Sequence, residues 1–373
     1  MWQTLIDNPE VLYAAIIAFL IVVLLTPAVG GMARRLGVVD QPDGRRLNIL
    51  PIPRLGGLAL FLGIFVPSLA FLHLGPEMRG LLIGAAVATI VGAVDDVRGL
   101  AWWQKLGGQF IAAAIPVSFG VWISHFTFPF LGVNNLSPWI GAPLSILWIV
   151  AIMNMVNFLD GMDGLAAGVC GISGFTFALI ALSVDKIDPA ILSAAVFGAT
   201  FGFLRHNFYP ARIFMGDSGA LLLGFVLATV SIQGLLKTAS TVTLFLPLLV
   251  LAVPILDTSF VVARRLKHGL PVYAADRGHL HHRFVNIGFS QRRAALTIYA
   301  WALTLALAAI ATRFVPFRAH GTWHPWWTAL VVAIGLVALG TSIYIVYLLE
   351  IVKLANPRVR RRRLEEERLR RSA

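Results

Sequence analysis

Asp95 and Asp96 stand side by side in VGAVDDVRGL, at the end of an apolar run. Adjacent carboxylates at a helix terminus repel each other unless a cation or a shared basic partner lies beside them, so they read either as a metal site or as solvated capping acids. The segment NMVNFLDGMDGLAAG places Asn154, Asn157, Asp160 and Asp163 three residues apart, with Gly161 and Gly164 directly after the two acids. On a helix this spacing keeps the polar groups along one narrow face, and the glycines permit a tight turn or a close backbone approach. Polar groups in such apolar sequence are costly unless they line a protein or water cavity, which favours a working site over purely structural hydrogen bonds. In FMGDSGALLLGF, Asp217 and Ser218 open another apolar run. They read as a helix N-cap or as oxygen ligands for Mg2+, which one or two carboxylates commonly hold together with substrate phosphates. The segment DRGHLHHRF adds Asp276, Arg277, His279, His281, His282 and Arg283. Its H-x-H-H spacing lacks the i, i+4 pair of a helical zinc site, and imidazole and guanidinium donors suit a phosphate or diphosphate better. The plainer reading of that segment is a wet basic loop.

Composition decides what must position these groups. Only 13% of the 373 residues are charged and 58% are hydrophobic, with a mean hydropathy of +0.81, whereas soluble domains carry roughly 25% charge. Lipid must therefore solvate most of the chain. A bilayer core takes about 20 helical residues per crossing, and such runs recur at roughly 11–32, 56–74, 80–94, 106–123, 144–158, 165–184, 190–204, 220–236, 241–262, 294–312 and 326–349. The expectation is an all-α polytopic integral membrane protein of about 11 transmembrane helices, because backbone groups in lipid must be satisfied within each segment. The runs at 80, 144 and 190 are short and must borrow length from their flanks. The first run reads as a retained span and not a signal peptide, since Asp7 and Glu10 stand where a basic segment would.

With the N-terminus outside and the C-terminus cytoplasmic, the inside loops and tail carry 25 of the 30 Lys and Arg residues, a strong positive-inside bias. The net charge of +12 is thereby assigned to topology and anionic-lipid contact rather than to nucleic acid. Residues 1–350 are expected to form one transmembrane catalytic domain, and 351–373 a basic cytoplasmic tail. The outside loop 124–143 holds no charged residue, and Phe126, Phe128 and Phe130 alternate before GVNN, the period of a short hairpin on the membrane surface. The single cysteine, Cys170, excludes an internal disulfide and a multi-cysteine zinc site. The motif acids all fall on the inside face. Carboxylates for a divalent cation, cationic donors for phosphates and a cytoplasmic membrane face together point to phosphoryl transfer from a water-soluble donor to a lipid acceptor. Acids near helix breaks also mark the ion pathways of transporters, but here they cluster at one face instead of the midplane and no internal repeat is evident. A lipid-only phosphatidyltransferase is the second rival, and its D-G-x-x-A-R signature is absent.

Five segments carry a resemblance: DQPDGRRLNILPIPRLGG at 40–57, GAVDDVRGLAWWQKLGGQ at 92–109, NMVNFLDGMDGLAAG at 154–168, NFYPARIFMGDSGA at 207–220 and DRGHLHHRF at 276–284. In order and loop side they resemble the polyprenyl-phosphate N-acetylhexosamine-1-phosphate transferase family, of glycosyltransferase family 4 type. HLHHR is similar to the bacterial branch that uses UDP-N-acetylglucosamine and undecaprenyl phosphate, because Leu280 interrupts the three adjacent histidines of the branch that uses UDP-N-acetylmuramoyl-pentapeptide. Asn48 and Arg46 depart from the family's usual His and Lys. The resemblance implies transfer of sugar 1-phosphate to the lipid phosphate with release of UMP, in the cytoplasmic (inner) membrane with the active site on the cytoplasmic face. It implies Mg2+, with Mn2+ as an alternative, held chiefly by Asp217 with Asp96, and Asp95 as the group that orients or deprotonates the lipid phosphate. Asn157, Asp160 and Asp163 would contact nucleotide or metal, and His279, His281, His282 and Arg283 the diphosphate or sugar. Lys105 reads as a phosphate ligand or as a topology marker. Expected partners are a UDP-N-acetylhexosamine, a polyprenyl phosphate and membrane lipids, with no nucleic acid; a homodimer is left open.

Overall fold

A computed structural model describes residues 2–41, 51–128, 132–236, 245–267, 269, 279–316, 318–319 and 322–349. Its helices are α1 (Trp2–Asp7), α2 (Glu10–Arg35), α3 (Gly56–Phe71), α4 (Pro76–Arg98), α5 (Trp102–Ser118), α6 (Pro138–Leu159) and α7 (Leu165–Ser183). They continue as α8 (Ile187–Asn207), α9 (Gly216–Ser231), α10 (Phe245–Val250), α11 (Ala252–Lys267), α12 (Leu280–Asn286), α13 (Gln291–Phe314) and α14 (Pro325–Leu348). Among the described residues, 8 helices are long and apolar enough to cross a membrane. This is the polytopic all-helical class that the composition demands. The three short runs do gain length from their flanks, as α4, α6 and α8, two of which start with a proline in the first turn, where its missing N–H costs nothing.

Three of the runs differ from simple spans. Gly56–Phe71 and Trp102–Ser118 are shorter helices, of 16 and 17 residues. The run at 241–262 is broken at Leu251 into α10 and α11. Pro254 sets the break, having no N–H for the Val250 carbonyl four residues back and a ring that crowds it; beyond it α11 buries Pro254, Asp257, Thr258, Val261 and Arg265 along one stripe, the i, i+3, i+4 pattern of an amphipathic helix. The expected hairpin is present as β3 (His125–Phe128) paired antiparallel with β4 (Gly132–Asn135), His125 opposite Asn135. A smaller ribbon pairs β1 (Val39–Asp40) with β2 (Ile52–Pro53). The tail 351–373, together with Arg46, Asn48, Asp276 and Arg277, lies outside the described residues.

The core sits around α9, a helix apolar on every side. All of its residues are buried except Asp217, so the one carboxylate in its first turn is also its one outlet to solvent. α3, α4 and α6 pack directly against it. Gly92 of α4 lies against the backbone of Asp217 and Ser218, where a Cβ would collide. That close approach brings the last turn of α4, with its paired acids, onto the first turn of α9.

Candidate active site

Asp95 and Asp96 occupy the last turns of α4, and Lys105 the first turn of α5. Both placements oppose the helix dipole, which favours cations at C-termini and anions at N-termini. The opposition is resolved because the two ends face each other: Lys105 Nζ lies 2.9 Å from Asp95 Oδ2. The same ammonium reaches Asp217 Oδ2 at 2.6 Å and donates to Asn157 Oδ1 at 3.1 Å. Asn157 Nδ2 in turn donates to Asp217 Oδ1 at 2.6 Å. Four helix ends, α4, α5, α6 and α9, thus deliver side-chain oxygens and one cation to a single spot. One turn deeper, Gln109 and Asn154 bond reciprocally, at 3.3 and 2.6 Å, and hold α5 to α6 with their polar ends satisfied.

The two adjacent acids divide their work. Asp96 accepts from the amide of Asp217 at 2.8 Å and from the amide and hydroxyl of Ser218 at 3.0 and 2.9 Å. It caps α9 from a different helix, a task that the residue before α9, Met215, cannot perform for itself. Gly216, at φ +69°, leaves room for this carboxylate where a Cβ would strike it. The Asp96 side chain is 0% exposed, whereas those of Asp217, Lys105 and Asp95 are 20%, 17% and 10% exposed. The latter three are therefore the groups that a ligand can touch. Asp95 is steadied by the amide of Leu100, at 2.6 Å from Oδ1.

Asp160 ends α6, and Asp163 follows in the turn before α7. Burial, then the nearby charges of Asp217 and Asp96, hold the Asp160 carboxyl well above its ordinary range. Asp163 is also raised by burial, although the amide of Ala211, 2.9 Å from its Oδ2, works the other way. The turn is pinned at Gly164, whose N–H donates to Asn207 Oδ1 at 3.1 Å and whose carbonyl accepts from the Tyr299 hydroxyl at 2.6 Å. Asp163 is thus tied to the segment leading into α9, and Asp160 feels the cluster electrostatically.

The histidine segment is anchored by a separate set of contacts. His279 Nδ1 lies 3.0 Å from Asp257 Oδ2, and Asp257 Oδ1 accepts from the amide of Leu280 at 2.8 Å, so Asp257 fixes the start of α12. The His279 ring packs on Phe158, with centroids 5.6 Å apart, one residue beyond Asn157. Arg283 donates to the carbonyl of Leu349 at 3.1 Å. His281 and His282 lie on α12. Sequence reading missed Arg54, which stands 3.7 Å from Asp96 and 3.6 Å from Asp40, and the positioning parts played by Gln109 and Asp257. Gln109 and Asp257 did carry a signal, being polar residues within apolar runs.

Asp95 and Asp217 face Lys105 at close range and Asp96 faces Arg54 at 3.7 Å, so three carboxylates against two cations leave the cluster net negative. Hard oxygen donors in negative excess suit a divalent cation of the Mg2+ type. Asp217, Asp95 and Asn157 all present oxygens toward Lys105 Nζ, so the donor set fits such an ion. Among the described residues, no three His, Cys, Asp or Glu side chains already converge as a metal cage. The ion would therefore share its coordination with a bound ligand. With such an ion bound, the site could hold and neutralise phosphates.

Residues 78–235 match the family described as glycosyl transferase family 4, a segment that contains Asp95, Asp96, Lys105, Asn157 and Asp217. The chain is similar to a Bacillus subtilis protein named "probable undecaprenyl-phosphate N-acetylglucosaminyl 1-phosphate transferase", 35% identical over 81% of this chain and 84% of that protein. It is also similar to the decaprenyl-phosphate N-acetylglucosaminephosphotransferase of Mycobacterium leprae, 35% identical over 84% of this chain and 86% of that one. A phospho-N-acetylmuramoyl-pentapeptide-transferase of Desulforudis audaxviator is 33% identical, over 81% and 97% of the two chains.

Proposed function

The chain belongs to glycosyl transferase family 4, and from that premise we propose that it moves N-acetylglucosamine 1-phosphate from UDP-N-acetylglucosamine to undecaprenyl phosphate. It is a multi-pass membrane transferase. The products are UMP and a lipid diphosphate sugar, and the site works from the cytoplasmic side of the inner membrane. The observation that carries this reading is the convergence of Asp95, Asn157 and Asp217 on the Lys105 ammonium, at 2.6–3.1 Å, with Asn157 bonded to Asp217 at 2.6 Å. N-acetylglucosamine is preferred to the N-acetylmuramoyl-pentapeptide because the two relatives above with the higher identity bear its name.

In the reaction, an oxygen of the lipid phosphate bonds to the β-phosphorus of the donor. The bond from that phosphorus to the bridging oxygen breaks, and UMP leaves with the electron pair. Little covalent chemistry falls to the protein, so catalysis rests on positioning and charge neutralisation. Lys105 supplies a fixed ammonium that can pass from carboxylates to phosphate oxygens. Asp95, half free of its backbone bond, orients the acceptor phosphate. A strong base is not required, because a phosphate monoester with a second pKa of about 6 is mostly dianionic at neutral pH. Asn157 holds Asp217 in register, and Asp96 holds the whole first turn of α9. Mg2+ would be held by Asp217, with Asp95 and Asn157 nearest it and Asp96 supporting Asp217 from behind. When bound it would neutralise the diphosphate oxygens and the departing phosphate of UMP. Asp160, Asp163 and the His279 to Arg283 segment are assigned to the nucleotide and the sugar.

The test is a purified-protein assay with UDP-N-acetylglucosamine, undecaprenyl phosphate and Mg2+, following UMP. Activity that EDTA abolishes, and that Asp217→Asn lowers by orders of magnitude, is expected. Full activity of that variant, or none with any UDP-N-acetylhexosamine, would overturn the assignment.

A further inference from the structure

A cavity of about 430 Å3 opens between the end of α2, β2 and the segment that follows α8. Its lining combines Pro27, Pro53 and Ile213 with two arginines, Arg34 and Arg212. Its other polar residues are already engaged: the Thr26 hydroxyl donates to the carbonyl of Val22 at 2.5 Å, and His206 Nε2 meets the carbonyl of Val23 at 3.1 Å. Neither arginine has a carboxylate partner among the described residues. Two unneutralised cations over an apolar floor call for an anion with an apolar continuation.

The membrane supplies the continuation. Ile16, Leu20, Val23 and Pro27 follow one another at spacings of four, three and four along α2, all at least partly exposed. They form a single stripe that runs from the cavity into the apolar span. Phe201 of α8, 58% exposed, stacks on Phe197 and lies 6.0 Å from Phe19, so the neighbouring helix is apolar at the same level. The cavity lies at the basic end of α2, where Arg34 and Arg35 close the helix, which is the end that positive-inside sorting places in the anionic leaflet. Its volume lies within the range of small-ligand pockets, roughly 300–1,000 Å3, enough for a phosphoglycerol headgroup but not for its chains. Basic pockets between transmembrane helices on that side are suited to anionic headgroups.

We propose that this cavity binds the headgroup of an anionic phospholipid, with the phosphodiester between Arg34 and Arg212 and the acyl chains along Ile16, Leu20 and Val23. The lipid is a brace for the site. The two cavity walls are joined where the Phe214 amide donates to the Pro53 carbonyl at 2.8 Å and the Gly56 amide to the Phe214 carbonyl at 3.0 Å. Just beyond them stand Arg54, facing Asp96, and Asp217. The inference does not depend on which sugar phosphate is transferred.

Delipidated protein in neutral detergent, titrated with phosphatidylglycerol or phosphatidylcholine and read by native mass spectrometry, tests it. One phosphatidylglycerol is expected to be retained in preference to phosphatidylcholine. The double variant Arg34→Gln/Arg212→Gln should bind it roughly 30-fold more weakly, as removal of two near-surface cations implies. Gly30→Leu keeps both arginines and fills the cavity from α2, where a Cβ meets only Ile213 at 3.4 Å and Pro53 at 3.8 Å; it should weaken binding as well, with its thermal unfolding unchanged. Amide exchange at 51–57 and 211–216 should slow when phosphatidylglycerol binds the unsubstituted protein. Equal retention of both lipids, or retention insensitive to both variants, overturns the proposal. So does variant-sensitive binding of inorganic phosphate at the same concentration, which would make it a free-anion site, or of undecaprenyl phosphate alone, which would make it an acceptor subsite.

Discussion

Asp96→Asn separates a carboxylate that holds α9 from one that holds a metal. The native side chain accepts three hydrogen bonds, from the Asp217 amide at 2.8 Å and from the Ser218 amide and hydroxyl at 3.0 and 2.9 Å. Asparagine keeps one acceptor oxygen and turns an NH2 toward donors. Hydrogen bonds to charged groups contribute about 1.5–3 kcal/mol each, and an N-cap about 1 kcal/mol. Loss of one such bond, with weakening of the others, is on the order of 3 kcal/mol. Removing a buried charge beside Asp217 gives part of this back, and the donor conflict at three bonds outweighs it. The assay is thermal unfolding by tryptophan fluorescence in detergent with EDTA present. The apparent Tm should fall by several degrees, and Ser218→Ala should cost less, about 1 kcal/mol, and couple to Asp96→Asn in a double-mutant cycle. Turnover should fall about 100-fold, as expected for a displacement of the Asp217 turn by about 1 Å. An unchanged or higher Tm in EDTA, with the whole defect appearing as lost stabilisation by Mg2+, would refute this division of labour.

Other outcomes follow from the same geometry. Lys105→Met should lower kcat by roughly 100- to 1,000-fold, the usual cost of one preorganised electrostatic donor, and Lys105→Arg should fail to restore it because a planar fork cannot serve three acceptors around one nitrogen; steady-state kinetics check both. Burial and the charges of Asp217 and Asp96 raise the Asp160 carboxyl, so its contribution to stability is present below its unfolded pKa and is lost as pH rises through the folded one. Asp160→Asn should therefore stabilise the metal-free protein increasingly as pH rises from 5 toward 8, in a Tm-against-pH series, and a variant that loses ground with rising pH would contradict the shift. Gly92→Leu drives side-chain atoms into the Asp217 and Ser218 backbone and should cost about 1–3 kcal/mol as overpacking, together with activity, measured by the same unfolding and turnover assays.

The sequence made the class of fold readable because lipid admits few alternatives, and it exposed Asp95, Asn157 and Asp217 because polar groups in apolar runs stand out. The resemblance gave Asp95 and Asp96 different roles, but nothing in the sequence showed which of them turns inward. Their neighbours in sequence are shared, and only the packing of α4 on α9 through Gly92 turns one inward as a cap and leaves the other toward Lys105. The break at Leu251 was hidden because the run around it is apolar by composition: Pro254 stops the ladder at the Val250 carbonyl, and the stripe of Asp257, Thr258 and Arg265 appears only when the helical period is followed past the end of the run. Lys105 looked like a topology marker or a phosphate ligand, and the three oxygens around it come from helices 52 and 112 residues away as well as from Asp95. No local pattern encodes that meeting.

Which bond of the donor breaks distinguishes sugar 1-phosphate transfer from sugar transfer. UDP-N-acetylglucosamine labelled with 32P at the β-phosphate, incubated with the purified protein and undecaprenyl phosphate, distinguishes the alternatives when lipid and nucleotide are separated. Sugar 1-phosphate transfer predicts label in the lipid fraction, in step with one unlabelled UMP released per label transferred. Label left in the nucleotide as UDP, with an unlabelled sugar on the lipid, would contradict it.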